Sequence, residues 1–262
     1  MSDRILRIAM PAAIAILVLG LWEWGVRSRG VPEWILPGPL TIGATLLADW
    51  HTLAPSLWVT LEITGLALLV ATVAGVGLAA LFAASRWVEL ALFPYAVVLQ
   101  VTPIVAIAPL IIVWVDDIRV ALLIMAWIVA FFPILSNTVA GLNAVDPNLR
   151  DLFRLYRAGP LRTLLWLRLP AALPFFLAGL RISGGLALIG AVVAEFVAGT
   201  GGRASGLAFR ILEAGYTLQI PRMFAALAMI CATGIAIHLV LSLVSWLVLR
   251  RWHEGSSGTD TA

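Results

Sequence analysis

The sequence predicts an all-α polytopic membrane protein with about six transmembrane helices. Three observations carry this. Of 262 residues, 62% are apolar. Only 12% are charged, against about 25% in a soluble domain. Windows free of charge recur along the chain at the length a bilayer crossing needs, about 20 residues. A soluble fold of this length could not hide so much apolar surface, so its solvent is lipid.

The first helix is expected over 7–26. Arginines ahead of an apolar stretch also fit a secretory signal. The apolar run, however, continues through Trp22 and Trp24 with no clean small-residue cleavage site, so a spanning helix fits better. Glu23 then sits at the interface. Ile63–Ser85, Leu90–Val115, Val120–Val145 and Met223–Leu249 carry no Asp, Glu or Arg, and Leu169–Ala194 is interrupted only by Arg181. The other five helices are therefore expected over 57–85, 89–115, 119–142, 170–197 and 222–250. Arg27–Leu57 contains Pro32, Pro37, Pro39 and Pro55 with Trp34 and Trp50. It reads as an irregular stretch plus a short interfacial helix around Leu40–Leu53. Thr200–Pro221 opens with a Gly-rich turn and has room for a short helix, Leu207–Ala214. The tail Glu254–Ala262 is small and polar and is expected to be disordered.

All 17 basic residues are arginine, and the formal net charge is +3. In a membrane protein this balance reports topology, so no nucleic-acid partner is expected. With the N-terminus cytoplasmic, inside segments hold ten arginines and outside segments six. That bias favours both termini on the cytoplasmic side. The single cysteine, Cys231, lies in an apolar run and supports neither a disulfide nor a zinc cluster.

Several chemistries are missing. No G-x-x-x-x-G-K-[ST] occurs, so no ATP-binding loop is expected in this chain. Gly199-Thr200-Gly201-Gly202 lacks the strand, lysine and helix that phosphate binding needs, and reads as a turn. His51, His238 and His253 show no ligand spacing. No nucleophile–base pair stands out. No catalytic residue, metal or cofactor is expected, and the work implied is movement rather than bond-making.

The segment 143–168 is the strongest positive signal. Asp146-Pro147 is a helix start, with Asp as N-cap and Pro at the first position. Leu149, Leu152, Phe153 and Tyr156 recur at helical spacing as one apolar stripe, while Arg150, Arg154 and Arg157 line another face. Ala158-Gly159-Pro160 is expected to end this helix, and a second short helix, Leu161–Leu167, leads to Leu169-Pro170. A basic helix lying on anionic headgroups is the competing reading. A short, doubly capped stripe followed by a break instead suits docking onto a partner.

Here the residues resemble a family. Gly159 and Leu169-Pro170 match the Gly and Leu-Pro of the cytoplasmic loop motif in inner-membrane subunits of bacterial ATP-binding-cassette importers. The Glu-Ala-Ala positions of that motif hold Phe153, Arg154 and Leu155, and Leu169-Pro170 stands about two residues closer to Gly159 than usual. Pro103-Ile-Val-Ala-Ile-Ala-Pro, Phe132-Pro-Ile-Leu-Ser-Asn-Thr-Val-Ala-Gly-Leu, Leu169-Pro-Ala-Ala-Leu-Pro, Val193-Ala-Glu-Phe and Ser205-Gly-Leu resemble the branch importing nitrate, sulfonates, taurine, or pyrimidine- and riboflavin-type compounds.

The resemblance implies a type I importer permease in the bacterial inner membrane, with a cytoplasmic coupling helix between the fourth and fifth spans. It also implies two separate ATPase subunits, an extracytoplasmic substrate-binding protein, and a second permease subunit in a homodimer or heterodimer. The organisation expected is an N-terminal helix and external segment over 1–56, a permease core over 57–251 with its coupling loop at 143–168, and a tail over 252–262. Asp146, Leu149, Arg150, Leu152, Phe153, Arg154, Tyr156, Arg157 and Gly159 are the expected coupling residues.

The fifth span carries a second constellation. Gly179, Ser183, Ala187 and Ala191 recur every four residues, a face that permits close helix approach. Arg181 and Glu195 lie about 21 Å apart along a helix and cannot pair. Two readings stand. In one, this face lines the subunit interface and pathway, with Glu195 near its outer end. In the other, Glu195 reaches the membrane interface and Arg181 ties the span to a neighbour. Gln100 and Thr102 before Pro103, and Ser136 and Asn137 after Pro133, sit at proline breaks that free backbone groups. Gln100, Thr102, Asn137, Ser183 and Glu195 are the pathway candidates. A self-contained ion-coupled transporter would need acidic residues at mid-depth, and a membrane enzyme would need His, Asp or Glu clusters. The sequence offers little of either.

Overall fold

The computed structural model describes residues 3–199 and 205–250, with side chains from Ala9 onward. Among them every regular element is helical: α1 Asp3–Ser28, α2 Pro39–Ala48, α3 Trp50–Ala84, α4 Arg86–Val101, α5 Ile104–Trp114, α6 Ile118–Asn143, α7 Pro147–Leu155, α8 Pro160–Thr163, a π-helical turn Leu164–Arg168, α9 Leu169–Ala198, α10 Leu207–Tyr216 and α11 Ile220–Leu249. Five helices are long and apolar enough to cross a membrane, and a bent pair makes up to six. The all-α polytopic expectation holds. The Gly-rich turn expected from residue 200 lies mostly outside the described residues, and the 252–262 tail lies wholly outside them.

The third span is not the single helix expected over 89–115. It is α4 and α5, bent by 103° at Thr102-Pro103. Proline has no N–H to continue the ladder, and its ring drives the preceding residue out of the helical region. Thr102 accordingly sits at φ −70°, ψ 121°. Its hydroxyl donates back to the Val98 carbonyl at 2.7 Å, which also accepts the Thr102 N–H at 3.1 Å. The second span also starts earlier than expected. Trp50–Ala84 is one helix of 35 residues, and the short helix before it ends at Ala48. Pro55 falls within the second turn of α3, where its missing N–H leaves the His51 carbonyl without its helical donor.

The chain divides into two compact units, and α3 and α11 contribute to both. One comprises the described part of Met1–Val59 and Gly199–Cys231. Its core is Ile42, Leu53, Leu207, Ala225, Ala226 and Met229. Its polar groups pair with one another. Glu23 accepts the Leu40 N–H at 3.0 Å, placing a carboxylate at the N-terminus of α2, where the helix dipole favours it. Gly38 permits this approach, since a Cβ there would lie 2.6 Å from Glu23 Oε2. Asp49 accepts two bonds from Arg222, at 2.6 Å from Nε and 3.0 Å from the terminal nitrogen. These bonds hold the Asp49 carboxyl below its ordinary value. Arg210 donates to Ser56 Oγ at 2.9 Å and to Glu213 at 2.8 Å.

The other unit comprises Thr60–Ala198 and the described part of Ala232–Ala262. Its most extensive packing is α6 against α9. Glycine makes that approach possible. A Cβ at Gly179 would lie 2.7 Å from the Pro133 carbonyl oxygen, and one at Gly190 would lie 2.8 Å from Ala126 Cα. In lipid, where apolar burial drives little association, such close backbone contact is what holds helices together. Phe82, Phe93 and Phe132 form a chain of rings at centroid distances of 6.3 and 6.2 Å, joining α3, α4 and α6.

Candidate functional site

The polar segment between α6 and α9 folds as its residues direct. The Asp146 side chain accepts the Asn148 N–H at 2.8 Å, and Pro147 opens α7. The helix ends earlier than Ala158-Gly159-Pro160. Arg157 takes the left-handed conformation, φ 51°. The Ala158 N–H reaches the Phe153 carbonyl and the Arg157 N–H the Arg154 carbonyl, both at 2.9 Å. This is a Schellman cap whose left-handed residue is an arginine instead of the usual glycine. Gly159 has another role. At φ −66°, ψ 163° it is the N-cap of α8, and its carbonyl accepts the Thr163 N–H at 3.0 Å. A conformation like this does not require glycine.

No residue of α7 is buried. Leu149, Leu152 and Tyr156 share one face and are exposed, Tyr156 to 78%; Phe153 is half-buried beside them. The opposite face is turned toward the chain. Arg150, which is half-buried, and Arg154 line a cavity of about 450 Å³ with Arg168 and the end of α3. Arg157 is exposed. The helix thus leaves Leu149, Leu152 and Tyr156 of its apolar stripe exposed, while Arg150 is the one arginine of the three that is half-buried.

The pathway candidates fall in three places. Gln100 is exposed and Thr102 half-buried, both at the α4–α5 break. Asn137 and Ser183 lie in the α6–α9 seam. Asn137 Nδ2 donates to the Pro133 carbonyl at 2.8 Å. Ser183, fully buried, donates to the Ala130 carbonyl at 2.6 Å. Both side chains satisfy backbone oxygens around the Pro133 disruption. Glu195, 2% exposed, accepts the Thr60 hydroxyl at 2.8 Å.

The small-residue face of α9 bears on the two readings left open for it. Gly179, Ser183, Ala187 and Ala191 are buried. Gly179 and Ser183 pack against α6 of the same chain, so their close approach is used within the subunit and does not line a subunit interface. A different face of α9 is open. Phe175, Ile182, Ile189 and Phe196 recur every seven residues and are all exposed, and Arg181 beside Ile182 is exposed too. This stripe was readable as a heptad. It was masked because in lipid-facing helices apolar residues occupy packed and unpacked faces alike. Among the described residues no group of His, Cys, Asp and Glu is placed to hold a metal.

Comparisons with known proteins agree with this architecture. A family model described as "Binding-protein-dependent transport system inner membrane component" matches residues 71–253. The chain is 32% identical over 245 residues to a probable ABC transporter permease protein of Haemophilus influenzae, covering 94% of this chain and 97% of that one. It is 32% identical over 251 residues to the riboflavin transport system permease protein of Chloroflexus aurantiacus, covering 93% and 90%. A crystal structure of an amino acid ABC transporter with histidines shares the fold, with a TM-score of 0.64 at 20% identity, over 79% of this chain and 97% of that one.

Proposed function

The chain belongs to the family of binding-protein-dependent transport system inner membrane components, and from that premise we propose that α7 is the element through which separate ATPase subunits drive it. The chain is a transmembrane permease subunit of an ABC importer. Membership disfavours the ion-coupled reading. One observation carries the coupling proposal: the apolar stripe of α7 faces away from its own chain, with Leu149 and Leu152 near half exposed. Exposed apolar surface rimmed by charge is what a partner groove covers.

The physical argument follows from stiffness. Two ATPases that close on ATP shift the grooves they offer. A short helix held by Asp146 at one end and a Schellman cap at the other moves as a body. Residues 156–159 join it to α8, which runs on through the π turn into α9 without a break, so its motion would reach the fifth span across that one turn. Leu149, Leu152, Phe153 and Tyr156 would make the contact. Arg150 and Arg154 hold the helix from behind, Arg157 shapes its end, and Gly159 starts the next turn. ATP hydrolysis is assigned to the partners, consistent with the lack of an ATP-binding loop in this sequence.

The same reading places both termini in the cytoplasm of a bacterium, with a substrate-binding protein on the far side of the inner membrane. A second permease subunit, identical or related, would pack along Phe175, Ile182, Ile189 and Phe196. The proposed segments are 1–56, the core 57–251 with its coupling loop at 143–168, and the tail 252–262. Gln100, Thr102, Asn137, Ser183 and Glu195 serve the pathway either by lining it or by setting the helices that do. The cargo is a small polar solute. Likeness to a riboflavin permease favours a riboflavin- or pyrimidine-like compound over nitrate, sulfonate or taurine. Proteoliposomes holding this chain, its co-purifying ATPase and the cognate binding protein test this. ATP-dependent riboflavin uptake is expected; uptake driven by an ion gradient without ATPase subunits would sink the reading.

A further inference from the structure

The cavity behind α7 is not explained by docking. It sits where the end of α3 meets α7, α8 and the π turn, and three guanidinium groups line it: Arg150, Arg154 and Arg168. No acidic residue is among the lining residues. Arg154 pairs with Asp151 at 3.2 Å, but both side chains are largely exposed and the pair is weak. Arg168 donates one terminal N–H to the Ala83 carbonyl at 2.8 Å. Its Nε and that of Arg150 are shielded from solvent and have no hydrogen-bond partner among the described residues. Buried charged donors left unsatisfied are costly, and like charges gathered at one cavity add to that cost. Both costs vanish if an anion occupies the cavity.

The surroundings indicate which anion. Trp87, three residues beyond Ala84, is 83% exposed, and Trp166, two before Arg168, is 76% exposed. Exposed tryptophans flanking membrane helices sit at headgroup depth. Leu161, also exposed, lines the cavity. A guanidinium fork matches the oxygens of a phosphate in shape and charge. We propose that this cavity binds the phosphate group of an anionic phospholipid, with Arg150, Arg154 and Arg168 on its oxygens and Leu161 against its glycerol end. The ligand would brace α7 from behind, whatever partner covers its front. Free phosphate offers the same chemistry from a second source.

The test uses the full chain purified from membranes in detergent, by native mass spectrometry with added phosphatidylglycerol or phosphatidylcholine. Phosphatidylglycerol is expected to be retained about tenfold more than phosphatidylcholine, a difference that one or two charge-assisted bonds supply. Arg150→Gln/Arg168→Gln should abolish that preference. Arg86→Gln/Arg162→Gln removes the same charge outside the cavity and should leave it intact. Calorimetry with inorganic phosphate separates the sources. If phosphate binds the wild type, is lost in Arg150→Gln/Arg168→Gln, and lipid shows no preference, the ligand is free phosphate and the lipid assignment falls. Equal lipid preference in all three proteins, with no phosphate binding, overturns the site. If Arg150→Gln/Arg168→Gln does not insert, Arg154→Gln carries the test and should lose severalfold; an unchanged preference there counts against the proposal.

Discussion

The corner around Asp49 and the segment around α7 solve opposite problems with similar residues. At the corner, Arg222 and Arg210 are matched inside the chain, to Asp49, Ser56 and Glu213 at 2.6–3.0 Å. At α7, Arg150 and Arg168 have buried Nε atoms without a hydrogen-bond partner among the described residues, and Leu149 and Leu152 are exposed. One region is closed on itself. The other leaves an apolar face exposed and lines a cavity with three arginines. Completeness marks a structural corner; incompleteness marks a place where something else binds.

The largest expected effect breaks this contrast at its open side. Leu152→Asp puts a charge into the proposed contact and should lower ATP-driven uptake at least about tenfold, the cost of burying one unpaired charge. Membrane insertion should be unaffected, because Leu152 touches no core. Normal uptake would remove α7 from the coupling role.

Next comes the closed side. Asp49→Ala strips Arg222 of a partly buried bidentate partner and should cost about 1–3 kcal/mol. Thermal unfolding in detergent reads it, and a double-mutant cycle with Arg222→Ala should return a coupling of similar size. Two fully additive single effects would mean the pair contributes nothing. The pH dependence has a definite sign. The Asp49 pKa is lowered in the fold, so the stabilisation is fully present above the ordinary carboxylate value of about 3.9. It is lost as pH falls through the lowered folded value. Between neutral pH and about 5 this pair should therefore not change stability.

The smallest effect applies to both regions equally. Arg157 at φ 51° and Leu218 at φ 58° are non-glycine residues in left-handed conformations. Each follows a helix, and the Gln219 N–H reaches the Ala214 carbonyl at 2.8 Å, as Ala158 does to Phe153. Glycine at either position should stabilise by about 1 kcal/mol. Leu218→Gly should raise the unfolding temperature and change nothing else. Arg157→Gly should do the same while leaving coupling intact, unless that arginine meets the partner. A loss of uptake in Arg157→Gly alone would sharpen the comparison by adding a charge to the contact.

Much of the fold was legible because spanning helices announce themselves by missing charge. The same signal is blind to direction. A charge-free window over Leu90–Val115 could not show that Pro103 turns the chain by 103°, although Thr102-Pro103 stood out in the sequence. The capped ends of α7 were legible to within a few residues, because Asp146 and Pro147 act locally. Its C-terminal end was misread, since the glycine at 159 looked like the cap while Arg157 had taken that role. The cavity that Arg150 and Arg154 share with Ala83 and Arg168 joins distant parts of the chain, which local periodicity cannot reach. The glycine and serine of α9 mark a close-packing face in the sequence but leave its neighbour open, because small residues specify distance and not partner. The Thr60–Glu195 bond joins residues 135 apart, beyond any local pattern.

The central claim is that a partner covers the apolar face of α7. A cysteine at Leu152, in a Cys231→Ser background, can be labelled with a water-soluble thiol reagent in permease alone and in permease bound to its ATPase subunits. Fast labelling alone and strong protection in the complex are predicted. Equal labelling in both states would contradict the account.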